Sequence, residues 1–520
     1  MSLLMLHPPW RPGLARATMG TVMSADSSMP SHARPAVSAP ERRASAVTDA
    51  PVPSADGKGS LSPPAGPGGG ARAFGPVAII VSHGMGEQVQ FETLNSVAEA
   101  LWARQSSTPM DASTARVRYV AFGEDWLPRV ELTLRTSTGA EREVHLYEVY
   151  WAPVTEGKVT VRDVVAFLLG AGLRGIRYCA RGSFDRWMFG IRQEFALPRR
   201  GLLQLGAAIA VLCALCVGYA AFALALAAEA FRLVLPGVPG SGAGVGVGAA
   251  MDVGAVAAGL AWLRGVPTPM VLGALALGVS FFAAARWFLV QGLGDVAAYI
   301  SAHRASRFTE IRRGIQEIAR NVARNVYGSR ITESGELEYG EVIVVGHSLG
   351  SVIAYDMLNH SINRDLLSQT AGEASLDVVR RTKLLLTLGS PLDKTAFLFR
   401  TQKDDAPLRE ALAAAVQPMI VSYDNRPARW INIWSPFDWI GGSLEYYDVD
   451  ARTSQREARA VENIRDAEAP LDPLRAHLGY WKRREFAERL YEVVGLGGGV
   501  AAPASGLHAP LSRTPYRAPR

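Results

Sequence analysis

The stretch EVIVVGHSLGSVIAYDML, residues Glu341 to Leu358, decides the fold class of this chain. A run of β-branched residues, Val342–Val345, leads into Gly-His-Ser-Leu-Gly, and an apolar segment of helical period, Val352–Leu358, follows at once. This pattern predicts a buried strand, a tight turn and a helix. Such a turn would place Ser348 at the carboxyl-terminal edge of the sheet.

The residue types of this turn suit the activation of a serine. A serine hydroxyl is a weak nucleophile, so it needs a base to accept its proton and donors to stabilise the oxyanion formed on attack. Gly346 and Gly350 have no Cβ, which permits a sharp strand-to-helix turn around His347 and Ser348. The amide of Leu349, at the start of the helix, is the first predicted oxyanion donor. An ordinary helix start with a capping serine is the alternative interpretation.

A second glycine-rich loop occurs early in the chain. In PVAIIVSHGMGEQ, Pro76–Gln88, a predicted buried strand over Val77–Val81 enters a loop in which glycines would let the backbone approach a substrate. The amide of Met85 is the predicted second oxyanion donor, and the supporting loop residues are His83, Gly84 and Gly86. Taken alone, the same residues would be an ordinary glycine turn.

The base and the acid must come from later in the chain, because serine hydrolases of the α/β class order these residues as serine, acid, histidine. After Ser348 the sequence contains only His360, His477 and His508. His360 falls on the predicted helix about three turns beyond the serine and would point away, and His508 lies in a Gly/Ala/Pro-rich tail. His477, in RAHLGYW, is therefore the predicted base, with a surface histidine as the alternative.

Two aspartates are candidates for the acid. Asp438 follows the predicted strand of RWINIWSPFDW, and Asp393 follows that of KLLLTLGSPLD. Each would lie at the carboxyl end of a strand, where a loop can present a carboxylate to an imidazole. Asp438 is preferred because it is on the later strand and nearer to His477 in sequence, and Asp393 is the alternative acid.

The alternation of strand and helix patterns predicts an α/β fold, with a mostly parallel sheet and helices on both faces. This domain is expected in two parts, residues 76–198 and 291–494. Residues 1–75 and 495–520 are rich in small residues and proline and lack periodicity, so they are predicted to be disordered. Further strands are predicted at Val117–Phe122, Val130–Thr136 and Glu143–Pro153, and further helices at Phe91–Arg104, Arg307–Tyr327 and Lys482–Gly495.

The intervening residues 199–290 contain two uncharged runs, Gly201–Ala228 and Gly265–Ala285, of 28 and 21 residues. About 20 apolar residues cross a bilayer core, so a two-helix transmembrane hairpin is predicted, with a pair of buried core helices as the alternative. Arginines are frequent outside the two runs and rare between them, which predicts that both termini face the cytoplasm. Arginine, alanine and glycine dominate over lysine, which indicates a bacterial chain and hence the inner membrane.

Several classes of function are disfavoured by composition. The net charge is +6, but no basic stripe interleaved with aromatic residues occurs, so nucleic acid is not a predicted partner. The three cysteines, Cys179, Cys213 and Cys216, form neither a disulfide framework nor a metal-ligand set, because two of them lie inside an apolar run. No cofactor and no metal are predicted.

Four motifs, VGHSLGSVIAYD, TLGSPL, INIWSPFDWIGGSLE and HLGYW, resemble in this order those of α/β-hydrolase lipases, including the intracellular DDHD-type phospholipases. The resemblance covers roughly 331–494 and the loop near residue 83. It implies that Ser348 is the nucleophile and Asp438 the aspartate of the later loop. This chain departs from the family because it reads Phe-Asp-Trp-Ile where the family has Tyr-Asp-Pro-Val and because it lacks an Asp-Asp-His-Asp quartet. Its predicted hairpin has no counterpart in the family.

Together these patterns predict a membrane-anchored serine hydrolase that cleaves carboxylic esters through an acyl-serine intermediate. A lipid-like substrate is expected because the hairpin would hold the site near the acyl chains of membrane lipids. An acyltransferase or thioesterase with the same triad is one alternative, and a non-enzymatic membrane protein that retains the scaffold is another. Nothing in the sequence indicates the oligomeric state.

Overall fold

A computed structural model describes residues 75–86, 88–106, 110, 115–122, 125–135, 139–160, 163–164, 183–196, 306–331, 334–397, 407–449 and 459–495, with single positions at 213, 218, 223, 276, 280 and 299. These residues form an α/β fold around a mostly parallel eight-stranded sheet, as the sequence predicts. The predicted disordered segments lie outside the described residues apart from the junction residues at 75 and 495.

The strands of the main sheet follow the order β10-β9-β8-β7-β1-β4-β3-β2, and β5 and β6 form a separate two-stranded hairpin. From β10 to β4 each neighbouring pair is parallel, whereas β4, β3 and β2 are joined by antiparallel pairing at one edge. The strand bounds are β1 Val77–Ser82, β2 Ala115–Phe122, β3 Asp125–Arg135, β4 Glu141–Val149, β5 Ser183–Met188, β6 Ile191–Ala196, β7 Glu341–His347, β8 Thr382–Leu388, β9 Arg429–Trp434 and β10 Val461–Arg465.

Helices connect and cover these strands. Short 3₁₀ helices occur at Tyr423–Asn425 and Tyr480–Lys482. The α-helix bounds are α1 Glu92–Gln105, α2 Ala152–Thr155, α3 Ser306–Gly328, α4 Leu349–Thr370, α5 Val378–Arg381, α6 Leu392–Phe397, α7 Pro407–Ala415, α8 Pro418–Val421, α9 Pro473–Leu478 and α10 Arg484–Gly495.

The sheet separates two apolar cores, which explains the continuous apolar runs of its central strands. Every residue of β1 is buried, because alternate side chains of a strand point to opposite faces and both faces are covered. Ala78 and Ile80 pack in the core that includes α3 and α4, and Val77, Ile79 and Val81 pack in the core that includes α1 and α10. Helices on both faces of the sheet are thus confirmed.

The β5–β6 hairpin and the edge strand β10 are among the elements that the sequence patterns do not predict. The strands of the β5–β6 hairpin carry charged residues at several positions, and the hairpin depends on distant contacts: the Arg186 guanidinium donates to the Tyr446 carbonyl, and the Phe189 ring stacks on Tyr423 at 4.4 Å. The edge strand β10 is short and mostly polar. The predicted strand over Glu143–Pro153 is wrong at its end, because β4 stops at Val149 and α2 contains Pro153.

The predicted membrane spans, Gly201–Ala228 and Gly265–Ala285, lie outside the described residues except for isolated positions. Within the part of the chain that the structure describes, no helix combines the length and apolarity needed to cross a membrane.

Candidate active site

Ser348 occupies a strained turn between β7 and α4. Its φ of 53° and ψ of −127° are rarely adopted by a residue with a side chain, and such strain is characteristic of functional turns. The glycines on either side are required by close backbone approach. A Cβ on Gly350 would lie 2.3 Å from the carbonyl oxygens of Ser82 and His83, and one on Gly346 would lie 2.6 Å from the backbone of α4.

The structure brings His477 and Asp438 to this serine. The Nε2 of His477, in α9, lies 2.8 Å from the Oγ of Ser348, and its Nδ1 lies 2.9 Å from Oδ2 of Asp438. All three side chains are buried. Because an ionised carboxylate only accepts hydrogen bonds, Nδ1 of His477 carries the proton and Nε2 is left to accept from the serine hydroxyl.

Asp438 is held as an ionised carboxylate. Its Oδ1 accepts hydrogen bonds of 2.8 Å from the amides of both Ile440 and Gly441, and its Oδ2 accepts one of 2.9 Å from the Tyr480 hydroxyl. Burial alone would raise the pKa of this carboxyl, but the charge of His477 and the hydrogen bonds from His477 and Gly441 outweigh burial and lower the pKa below its ordinary value.

Tyr480 is a site residue that the sequence patterns do not single out. Its hydroxyl donates to Asp438 and accepts at 2.9 Å from the amide of Ser435, so it connects the acid to the end of β9. The only signal in the sequence is its place three residues after His477 in HLGYW, and nothing local in that motif indicates the distant partner.

The alternative acid, Asp393, is bonded elsewhere. It lies in α6, and its Oδ2 and Oδ1 accept from the amides of Glu445 at 2.8 Å and Tyr446 at 3.2 Å. Burial raises the pKa of this carboxyl to about 8, although both amides oppose the rise. Of the two candidate aspartates, Asp438 is therefore the one that contacts His477.

The predicted oxyanion donors flank the serine. Leu349 is the first residue of α4, a position at which the backbone N–H has no partner within the helix. Met85 lines the same cavity as Ser348, and the loop that contains it approaches the turn closely. A Cβ on Gly84 would lie 2.8 Å from Nδ1 of His347 and 3.2 Å from Cβ of Ser348, so only glycine permits this approach. Gly86 has a φ of 96°, which also favours glycine.

The two histidines next to these loops form hydrogen bonds with the backbone. His83 stacks on Trp151 at 4.7 Å, accepts at 3.1 Å from the Trp151 amide through Nε2, and so donates from Nδ1 to the Gly84 carbonyl at 2.8 Å. Burial lowers the pKa of His83 to about 4. His347 donates from Nε2 to the His477 carbonyl at 2.8 Å, and burial, with the nearby His477, lowers its pKa to about 3. Both rings are neutral near pH 7.

Residues from the end of β4 hold the far side of the glycine loop. Glu148 accepts at 2.9 Å from the amide of Phe91, a non-glycine residue with a φ of 72°, and the Tyr150 hydroxyl donates to the Gln88 carbonyl at 3.0 Å. Burial raises the pKa of Glu148 to about 7. The loop between β1 and α1 is thus fixed by distant residues that no sequence motif identifies.

A cavity of about 330 Å³ opens beside Ser348 and His477. The apolar residues that line it are Met85, Leu478 and Trp481. Two charged residues that line it, Glu92 and Lys482, are exposed. The remaining lining residues are Gln88, Thr93, Ser96 and His347.

One group of side chains in the described part of the chain has the composition of a metal site. Ligand atoms of Glu131, Glu143 and His145 lie within 4.8 Å of one another. The guanidinium of Arg129 hydrogen-bonds Oε1 of Glu131 at 2.7 Å and already supplies a positive charge there, and His145 is bonded through Nδ1 to the Tyr339 hydroxyl at 2.7 Å. This polar network on β3 and β4 is explained without an ion.

The serine, histidine and aspartate form a continuous hydrogen-bonded chain at the carboxyl edge of the sheet, beside the first turn of α4 and the loop that contains Met85. Comparisons with protein-family models, curated proteins and solved structures found no match for this chain.

Proposed function

We propose that this chain is a serine hydrolase of the α/β-hydrolase fold that cleaves carboxylic esters. The observation that supports this proposal best is the chain of hydrogen bonds from Asp438 through His477 to Ser348, with distances of 2.9 and 2.8 Å. The order of these residues, serine after β7, aspartate after β9 and histidine after β10, is the order typical of that fold.

The geometry supports a two-step reaction. Ser348 Oγ attacks the ester carbonyl carbon while its proton passes to Nε2 of His477, and Asp438 stabilises the imidazolium that results. The amides of Leu349 and Met85 are proposed to bind the oxyanion. When the intermediate collapses, the C–O bond breaks and the imidazolium gives its proton to the leaving alcohol. Water then attacks the acyl-serine with His477 acting as base, which releases the acid and restores Ser348.

A lipid-like ester is the substrate class that we propose. The walls formed by Met85, Leu478 and Trp481 suit an acyl chain, and the uncharged runs in residues 199–290 are proposed to anchor the domain at the cytoplasmic face of a bacterial inner membrane, where such chains are abundant.

The experiment that tests this function is trapping of the acyl-enzyme. The detergent-purified full chain would be incubated with p-nitrophenyl esters of increasing acyl length and quenched in acid, and the peptide containing Ser348 would be examined by mass spectrometry. We expect an acyl adduct on that peptide, release of nitrophenol, and neither in Ser348→Ala. Adding an alcohol acceptor separates hydrolysis from acyl transfer, because a transferase would yield a new ester faster than free acid. Absence of both adduct and turnover in folded protein would contradict the proposal.

A further inference from the structure

The segment that follows Asp438 is bonded at two points by consecutive residues of α6. Lys394 donates from Nζ to the carbonyl oxygens of Trp439, of Ile440 at 3.0 Å and of Gly441 at 3.3 Å. Its neighbour Asp393 accepts from the amides of Glu445 and Tyr446 at the other end of the segment. We call this pair of residues, Asp393 and Lys394, the α6 clamp.

We propose that the α6 clamp positions the acid of the triad, with Lys394 setting the orientation of the two amides that hold Asp438 and Asp393 fixing the far end of the same segment. This inference rests on the proposed function, since it assigns the two residues an effect on the reaction at Ser348.

The peptide units next to Asp438 carry the argument. Ile440 and Gly441 each donate an amide to Oδ1 of Asp438 at 2.8 Å, and each offers its carbonyl to Lys394. Their backbone is therefore held between a carboxylate on one side and an ammonium on the other. Without Lys394, three carbonyl groups lose their donor, and the tilt of the two amides is no longer fixed from that side.

At Trp439 and Gly441, side-chain packing contributes little to anchoring the start of this segment. Trp439 is 51% exposed, and Gly441 lies so close to the turn after β8 that a Cβ there would be 2.4 Å from the carbonyl carbon of Gly389. A segment pressed against backbone without a side chain depends on hydrogen bonds for its position. The middle of the segment has its own support, since Asn432 donates to the Gly442 carbonyl at 3.0 Å, so loss of the clamp should displace the acid without unfolding the loop.

Charge acts in the same direction as geometry. The Lys394 ammonium is one of the groups that lower the pKa of the Asp438 carboxyl, after the larger effects of His477 and the Gly441 amide. The ammonium thus favours the ionised carboxylate that keeps the proton of His477 on Nδ1. Asp393 and Lys394 follow Gly-Ser-Pro-Leu directly in sequence. The end of β8, which made Asp393 a candidate acid, therefore supplies the two residues that hold the segment after Asp438.

Lys394→Met tests this inference, because methionine has a similar length but neither charge nor donors. We expect kcat, per active site titrated with a fluorophosphonate, to fall about 10- to 100-fold, the size expected for misplacement of a catalytic group, while KM changes less than about threefold. Lys383→Met is the matched control: Lys383 also donates to a backbone carbonyl, that of Arg380 at 3.3 Å, but away from the site, and both constants should stay at wild-type values.

An unchanged kcat per titrated site in Lys394→Met would overturn the inference. If the titratable fraction were lower at the same time, the role of Lys394 would be purely structural. If Lys394→Met does not fold, Asp393→Asn tests the inference instead. We expect its kcat to fall about three- to tenfold and to remain higher than that of Asp393→Ala. Equal activity of these two variants and the wild type would contradict the clamp. Failure of the proposed function is distinguishable, because the wild type itself would then not be titrated.

Discussion

Replacement of Asp438 by asparagine should abolish the proposed hydrolase activity through the tautomer of His477, and the hydrogen bonds around Asp438 determine which way the new side chain must turn. The amides of Ile440 and Gly441, each 2.8 Å from Oδ1, need an acceptor. Turning the asparagine NH₂ toward them would leave buried donors unsatisfied, at about 1–3 kcal/mol each. The asparagine oxygen therefore stays at Oδ1, and its NH₂ takes the place of Oδ2.

At that place the NH₂ faces Nδ1 of His477, which lies 2.9 Å from Oδ2 of Asp438 in the wild-type protein. An NH₂ group donates, so Nδ1 must accept and the ring proton moves to Nε2. A protonated Nε2 cannot accept the proton of Ser348, whose Oγ lies 2.8 Å from Nε2. Loss of the correct tautomer in a serine triad costs about 10⁴ in kcat, which corresponds to about 5.5 kcal/mol of transition-state stabilisation at ~1.36 kcal/mol per factor of ten.

The assay compares Asp438→Asn with Asp393→Asn in ester hydrolysis and in the rate of fluorophosphonate labelling, with thermal unfolding to show that both variants fold. Asp393→Asn is the comparison because the Asp393 carboxyl group is also bonded to two backbone amides, and its activity should fall no more than about tenfold. An Asp438→Asn variant within tenfold of wild type would refute the tautomer argument. A larger loss in Asp393→Asn than in Asp438→Asn would show that the acid has been assigned to the wrong residue.

Three further predictions concern packing, specificity and topology. Gly350→Ala should lower Tm by several degrees, since its Cβ would lie 2.3 Å from two backbone oxygens and overpacking costs about 1–3 kcal/mol or more; an unchanged Tm would show that the turn can relax. Trp481→Ala should shift the preferred p-nitrophenyl ester to a longer acyl chain by removing a cavity wall, whereas the exposed Trp439→Ala should leave the preference unchanged; an equal shift in both would contradict this. In a cysteine-free background, Ser241→Cys should react with an impermeant thiol reagent from the periplasmic side of intact cells and Ser306→Cys should not. Release of the wild-type protein by carbonate without detergent would contradict the membrane hairpin.

The parts of the site that local sequence determines were open to prediction. The turn at Ser348 requires glycines at fixed offsets, a strand before it and a helix after it, and all of these lie within Glu341–Leu358. The parallel sheet follows from the same kind of signal, because strands covered on both faces need continuous apolar runs. His477 is different, since it is identified by elimination among the later histidines and not from any property of its own surroundings.

The remaining parts depend on distances that a linear pattern does not contain. Asp393 and Asp438 both follow parallel strands, so their positions in the sequence do not distinguish them. Asp393 accepts from the amides of Glu445 and Tyr446 because the segment after Asp438 passes beside it. Tyr480 meets Asp438 across a separation of 42 residues. The hairpin of β5 and β6 has no apolar alternation strong enough to predict it, and it is held by contacts with residues more than 200 positions away.

The most direct test of the central claim is active-site labelling of the purified full-length chain with a fluorophosphonate, read by intact-mass and peptide mass spectrometry. Because Ser348 Oγ lies 2.8 Å from Nε2 of His477, as the proposed nucleophile requires, we expect one adduct per chain, on the peptide containing Ser348, and none in a folded Ser348→Ala variant. An unlabelled but folded wild type, or equal labelling of Ser348→Ala, would contradict the assignment of this protein as a serine hydrolase.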